Sequence, residues 1–268
     1  PRTMTFPPDR ARAAVFHWVA AVLLACAWAA PASGQQTNYT WTGASNNLWS
    51  EASNWNPAGV PGVANVYVTF DNSGNGHTSI DLGGGITNLG MFFNPGAAAY
   101  TLGTPGQVLT LAAEYYFPYI IVSPGVTNDQ TFAADVLFDQ GHYVSAQVAI
   151  SNNSSAALTF SGATMTGTRG DPGDETAFYL GGNGTGLSTI SSQISENITA
   201  LGIVKQGTGT WQLLNPSNNF AGGAIWIREG TLVVTALRNM REPSSIGLMA
   251  GGANTNFFMA GNGDATLR

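Results

Sequence analysis

The amino-acid sequence predicts an all-β fold, either a solenoid of stacked short strands or a β-sandwich. Three observations predict it. Of the 268 residues, 34 are glycine and only 9% are charged, against roughly 25% in ordinary soluble domains. Low charge beside 44% hydrophobic residues argues against disorder, which needs the opposite balance. Short runs of Val, Ile, Leu, Tyr and Phe recur about every 8–12 residues between turns rich in Gly, Pro, Asn and Asp. The third observation is Gly202 to Val234, where the apolar alternation of half-buried strands is clearest. No stretch after the N-terminal apolar run keeps the spacing of an amphipathic helix, and Ala236 to Met240 has room for a single turn.

Taken in order, the chain begins with an export segment. Arg2, Arg10 and Arg12 form a positive region, and Ala13 to Ala30 is apolar apart from His17. Ala30-Pro31-Ala32 places small residues at a cleavage position, so residues 1–32 read as a secretory signal peptide. A transmembrane anchor is the rival reading of the same run, and lipidation at Cys26 is a second. Cys26 is the only cysteine, so a processed chain has neither a disulfide nor a thiolate metal site.

Residues 33–75 form a tryptophan-rich segment. Trp41, Trp49 and Trp55 punctuate it, Pro57, Pro61 and Gly62 mark a loop, and Val66 to Phe70 alternates as a strand. A solenoid must blunt its first rung, so these indoles are expected to cap it. The functional alternative is that they stack on sugar rings. Residues 76–268 then continue as strands: Ile80 to Leu82, Leu89 to Phe93, Tyr100 to Leu102, Val108 to Leu111, Tyr119 to Val122, Phe132 to Phe138, Tyr143 to Ile150, Leu158 to Phe160 and Ala177 to Leu180.

Within residues 202–234, Ile203 and Val204 begin a strand that stops at Gln206-Gly207-Thr208-Gly209. Thr210 to Leu214 resumes it, and Asn215-Pro216-Ser217-Asn218-Asn219 breaks it, because proline cannot donate to a ladder and asparagine tolerates turns. Ala224 to Ile227 and Thr231 to Thr235 follow. Ile203, Trp211, Leu213, Ile225, Ile227, Leu232 and Val234 are the expected inward set. Asn218-Asn219 is expected to stack on amides of neighbouring rungs.

Lys205, Gly207, Gly209, Thr210, Asn219, Gly222, Gly223, Gly230, Thr231 and Leu232 stand in an order and spacing that resemble the autotransporter-associated β-strand repeat. The resemblance implies a right-handed parallel β-helix, secreted or surface-exposed in Gram-negative bacteria, with a structural or adhesive role. It supplies no catalytic residues. The tryptophan-rich segment is similar to the region that follows the signal in many proteins carrying this repeat. The strand alternation is still running at Leu267, which sets the expectation of further repeats or an anchor beyond Arg268.

Other candidate sites are weak. Gly181 to Gly186 lacks the lysine and the helix of a phosphate loop. Arg169-Gly170-Asp171 matches an adhesion tripeptide, and Asp171, Asp174 and Glu175 could hold calcium, although neither follows a calcium-loop spacing. His77 and His142 form no zinc motif. The formal net charge of -6 argues against nucleic acid, whose phosphates demand Lys and Arg. The expected function is therefore an exported, non-catalytic passenger without cofactor or metal. Its expected partners are surface glycans or neighbouring cells, and the membrane concerns it only through the export signal or an anchor outside this chain. The alternatives are a β-helical carbohydrate-active enzyme, which one lysine and few arginines serve poorly, and a carbohydrate-binding module using Trp41, Trp49 or Trp55.

Overall fold

The structure is a computed structural model that describes residues 37–64, 66–74, 76–113, 117–140, 147–169, 176–196, 201–239, 241–248, 257–259 and 264–268. The expected signal peptide, Cys26, His142 and the acidic cluster Asp171, Asp174 and Glu175 lie outside these residues.

The chain opens with β1 (Asn38–Trp41), β2 (Trp55–Asn56) and β3 (Tyr67–Phe70). β1 pairs antiparallel with β2 on one side and parallel with β3 on the other. From β3 onward every pairing among the described residues is parallel. The next strands are β4 (Ser79–Ile80), β5 (Ile86–Asn88), β6 (Gly90–Phe93), β7 (Thr101–Leu102), β8 (Val108–Ala113) and β9 (Tyr119–Val122). Then come β10 (Gln130–Phe132), β11 (Asp135–Gln140), β12 (Gln147–Asn152), β13 (Leu158–Phe160), β14 (Thr164–Arg169) and β15 (Thr176–Gly181). β16 (Ser188–Ile190), β17 (Gln193–Glu196), β18 (Leu201–Lys205), β19 (Thr210–Leu213), β20 (Gly222–Ile227), β21 (Gly230–Val234), β22 (Phe257–Met259) and β23 (Ala265–Leu267) complete the set.

Three parallel sheets result. The first runs β2-β1-β3-β6-β9-β12-β15-β18-β20-β22, the second β4-β7-β10-β13-β16-β19-β21-β23, and the third β5-β8-β11-β14-β17. Successive strands of one sheet are one full turn of chain apart, because the chain visits the other sheets before it returns. This is a parallel β-helix, and the sandwich alternative fails because from β3 onward consecutive described strands do not pair as hairpins.

The alternation read from the sequence decides which side chains enter. In the first sheet Val68, Met91, Ile120, Ile150 and Leu180 stand in register and are fully buried. In the second, Leu102, Phe132, Phe160, Ile190 and Leu213 do the same. Like side chains meet on neighbouring rungs. Phe132 and Phe160 stack at 4.8 Å with 13° between their planes, and Phe70 and Phe93 stack at 4.9 Å. No rung could bury these faces alone, so the stack itself is the core.

Turn chemistry sets the corners. Asn94-Pro95-Gly96-Ala97 and Ser123-Pro124-Gly125-Val126 each close with the last N–H donating to the first carbonyl. Gly96 and Gly125 sit at φ 90 and 88, where a type II turn with proline in second place requires glycine. The corner between the second and third sheets is tighter. The sequence suggests one strand from Phe132 to Phe138, whereas the structure bends at Ala133-Ala134 between β10 and β11. A Cβ on Gly162, one rung later, would lie 2.0 Å from Ala134 O, so only a residue without a side chain passes there. The sequence reading missed β5, β16 and β17, which are short, and the six-residue β14, whose polar outward residues hide its alternation. Ala236 to Asn239, the described part of the suggested helical turn, is not helical.

The third sheet ends at β17, and its side of the solenoid continues as a loop. Asn218 Oδ1 accepts from Ile194 N at 2.8 Å, Asn219 N donates to Ile194 O at 3.1 Å, and Gln193 Nε2 donates to Ser217 O at 2.7 Å. Asn218 Nδ2 then donates to Ser245 O at 2.9 Å. Asn218 thus bridges the backbones above and below it, in place of the expected stack of equivalent amides.

Candidate functional site

Lys205, Gly207, Gly209 and Gly230 of the repeat block converge on a stack of turns between the first and second sheets. The stack begins before the block. Gly184 N and Gly186 N donate to Asn152 O and Ser154 O of the turn below, so the glycine-rich loop uses these donors to stack on its neighbour. Asn153 Oδ1 accepts from Asn183 N at 3.2 Å, and Asn183 Oδ1 accepts from Thr208 N at 3.0 Å. This is the amide ladder that the sequence reading placed at Asn218-Asn219.

Lys205 is the centre of the block. It occupies the inward column of the first sheet, between Leu180 and Ile227, and it is 0% exposed. Its four-carbon stem replaces an aliphatic side chain, while the ammonium bends into the turns. There Nζ donates to Gln206 O at 3.0 Å, to Glu229 O at 2.9 Å and to Gly207 O. Three carbonyls match three N–H donors. Burial pushes the lysine pKa down to about 8 and outweighs the nearby Glu229 carboxylate, which pulls the other way.

The glycines make this cage possible. Gly207 and Gly230 sit at φ 72 and 73, a region that side chains disfavour. A Cβ on Gly230 would lie 2.3 Å from Gly207 O and 2.6 Å from Lys205 Nζ. Gly209 N donates to Gly182 O at 3.0 Å, and Thr231 N to Gly209 O at 3.3 Å. Thr210 pairs with Thr231 and Trp211 with Leu232, which is fully buried. Gly222 pairs with Leu201 across a register shift, and a Cβ on Gly223 would meet the Leu201 backbone at 2.2 Å. Asn219 is exposed and acts through its backbone. Of the expected inward set, only Val234 is not fully buried; it is half-buried against the core.

The three N-terminal tryptophans are not a glycan platform. Trp41, Trp49 and Trp55 are 0%, 1% and 3% exposed. Trp55 lies edge-on to Trp49 at 4.5 Å and to Trp41 at 5.0 Å. Their ring N–H groups donate inward, Trp41 to His77 O, Trp49 to Pro61 O and Trp55 to Trp49 O. Rings with both faces packed cannot receive a sugar. They stand at the end of the first sheet, where β2 and β1 precede the parallel stack, the place for a cap.

Another set of rings does reach the surface. The outward column of the first sheet reads Tyr67, Gly90, Tyr119, Ala149, Tyr179, Val204, Trp226. The four aromatic members are half-buried. Sequence reading missed them because they are scattered along the chain and only the strand register aligns them. The usable signal was that each occupies an outward position of its strand.

Among the described residues, no group of three or more His, Cys, Asp or Glu side chains gathers to hold a metal ion. No protein-family model, curated protein or solved structure matches this chain.

Proposed function

We propose that this chain is an exported β-helical passenger of Gram-negative type, displayed at the cell surface or secreted, with a structural or adhesive role and no catalytic chemistry. The observation that supports the reading is how the repeat-like residues are used. Lys205, Gly207, Gly209, Gly230 and Asn219 all serve to hold one turn on the next. A chain that commits its lysine and its turn donors to stacking builds a long, uniform outer face, which suits a scaffold or a contact surface. The resemblance of 202–234 to the autotransporter-associated β-strand repeat, and the export segment read at residues 1–32, point the same way.

The test is display. The chain with its own N-terminus and a C-terminal epitope tag is expressed in a Gram-negative host. Tag signal outside the inner membrane and a processed N-terminus near Ser33 are expected. Retention of the unprocessed chain in the cytoplasm would overturn the export reading. The purified protein should leave neutral and acidic polysaccharides uncut, and cleavage lost on changing one Asp, His or Arg would overturn the non-catalytic reading.

A further inference from the structure

We infer that the outer face of the first sheet is a binding strip for a linear chain of pyranose sugars running along the solenoid axis, which rests on the adhesive reading above and names its ligand class. The observation is the outward column itself. Aromatic residues stand on alternate rungs, at Tyr67, Tyr119, Tyr179 and Trp226, and Gly90, Ala149 and Val204 stand between them. Hydrogen-bonded strands are about 4.8 Å apart, so alternate rungs repeat at about 9.6 Å. That is the spacing of the backbone positions; the rings themselves lean together in pairs.

The rings gather into two platforms. Tyr119 lies over Gly90, where a Cβ would meet its ring at 3.0 Å. Tyr67 reaches over the same glycine, and the two ring centres are 5.3 Å apart with 29° between their planes. Phe92, half-buried in the neighbouring column, packs against both at 5.9 and 5.2 Å. The second platform is Tyr179 and Trp226 with the Arg228 guanidinium 5.9 and 5.3 Å from their ring centres. Gly90 and Val204, the midpoints, are four rungs apart, or about 19 Å at the spacing between strands.

The occupant follows from the chemistry. Flat apolar rings with polar tips suit the CH faces and hydroxyl rims of pyranoses. A peptide strand would need a free sheet edge, whereas these strands are paired on both sides. Nucleic acid would need a row of cations, and among the described members of this strip Arg228 is the cation. A ligand that touches both platforms must span the distance between them, so affinity must grow with chain length once both are reached.

The probes are cello-oligosaccharides and chito-oligosaccharides of two to six units, titrated calorimetrically into the processed chain, with insoluble cellulose and chitin in pull-downs. The hexasaccharide of one series should bind at least about tenfold tighter than its disaccharide. Tyr67→Ala and Trp226→Ala remove one platform each, and each should erase most of that advantage while leaving disaccharide binding at the other. Tyr119→Leu tests the first platform without uncovering Gly90. Circular dichroism and the melting temperature identify a variant that has merely unfolded. Arg228→Gln that abolishes binding of polygalacturonate only, with no neutral oligosaccharide bound, would overturn the neutral-sugar assignment. Equal affinity for two and six units, or full binding by Tyr67→Ala and Trp226→Ala, would overturn the strip. Failure to bind any saccharide by a chain that is nevertheless exported would sink this inference and leave the passenger reading standing.

Discussion

Replacing Lys205 by methionine isolates what the buried ammonium does. Methionine keeps a stem of similar length between Leu180 and Ile227, so the apolar column is preserved. What goes is the donor to Gln206 O, Gly207 O and Glu229 O. An unsatisfied buried acceptor costs about 2 kcal/mol in the middle of the usual range, giving about 6 kcal/mol for three. Against this, the ammonium pays for its own burial, as its fall from 10.5 to about 8 records. At about 1.4 kcal/mol per pKa unit the variant recovers about 3.5 kcal/mol. The net expectation is a loss of about 2–3 kcal/mol. Urea unfolding followed by tryptophan fluorescence measures it, since the buried Trp211 lies on β19, the strand that follows Lys205 in the chain. The pH dependence gives the sign independently. The folded state sheds the lysine proton at lower pH than the unfolded chain, so between about pH 8 and 10.5 the unfolded state holds more protons and stability rises with pH. Wild type should therefore gain on Lys205→Met as pH climbs through that window. A methionine variant as stable as wild type at pH 7, or a difference flat from pH 7 to 10, would refute the carbonyl-cage account.

Asn88 lies in the inward column of the third sheet beside Leu111, is 0% exposed, and neither of its side-chain polar atoms has a partner. Asn88→Leu should raise stability by about 1–3 kcal/mol in the same urea assay, because it removes two buried unsatisfied groups. Tyr100 donates to Gly74 O, and burial, with a smaller push from Asp71, raises its pKa to about 12. A raised phenol stabilises the fold below the unfolded value of 10 and loses that contribution as pH rises toward 12. Alkaline unfolding should therefore begin above pH 10, and Tyr100→Phe should flatten this slope. Gly162→Ala should cost more than about 3 kcal/mol, since its Cβ falls 2.0 Å from Ala134 O and the corner must open. Thermal unfolding unchanged by this substitution would show that the corner is not rigid.

The strand rhythm was legible because most inward positions of this solenoid are plain apolar residues one apart, as in Val108 to Ala113 and Tyr119 to Val122. Three-residue strands such as Ser188–Ile190 were not, since Ile190 alone after Ser188 and Thr189 shows no apolar alternation and fits a loop equally well. The bend at Ala133-Ala134 was hidden because alanine carries no turn signal. Gly162, a residue one rung away, leaves the room that the corner needs. The buried state of Lys205 was invisible too, for a lysine in a strand ordinarily points to water. The aromatic column needed the register, and the register depends on turns of unequal length. Tyr119 pairs with Ala149, 30 residues on, while Val204 pairs with Trp226, 22 residues on.

That shortening explains why the recognisable motif lies where it does. Through β17 each turn has three strands, and ordinary sheet ladders satisfy the backbone on every side. Any alternating apolar sequence can build such a turn, so those rungs need little in common. After β17 the third strand is lost. Ile194 would then face a neighbour without a regular ladder, and Asn218 supplies the missing acceptor from its side chain. The turn between the first two sheets is compressed as well, and its converging carbonyls at Gln206, Gly207 and Glu229 need a common donor. Lys205 provides it from within the core. Gly207 and Gly230 leave the room, because a side chain on either would strike the adjoining turn. Specific residues at fixed spacing are the cost of a two-strand turn, whereas a three-strand turn asks only for a pattern. The motif therefore marks the narrowing of the solenoid, and its conspicuous polar residues answer to the backbone rather than to a ligand.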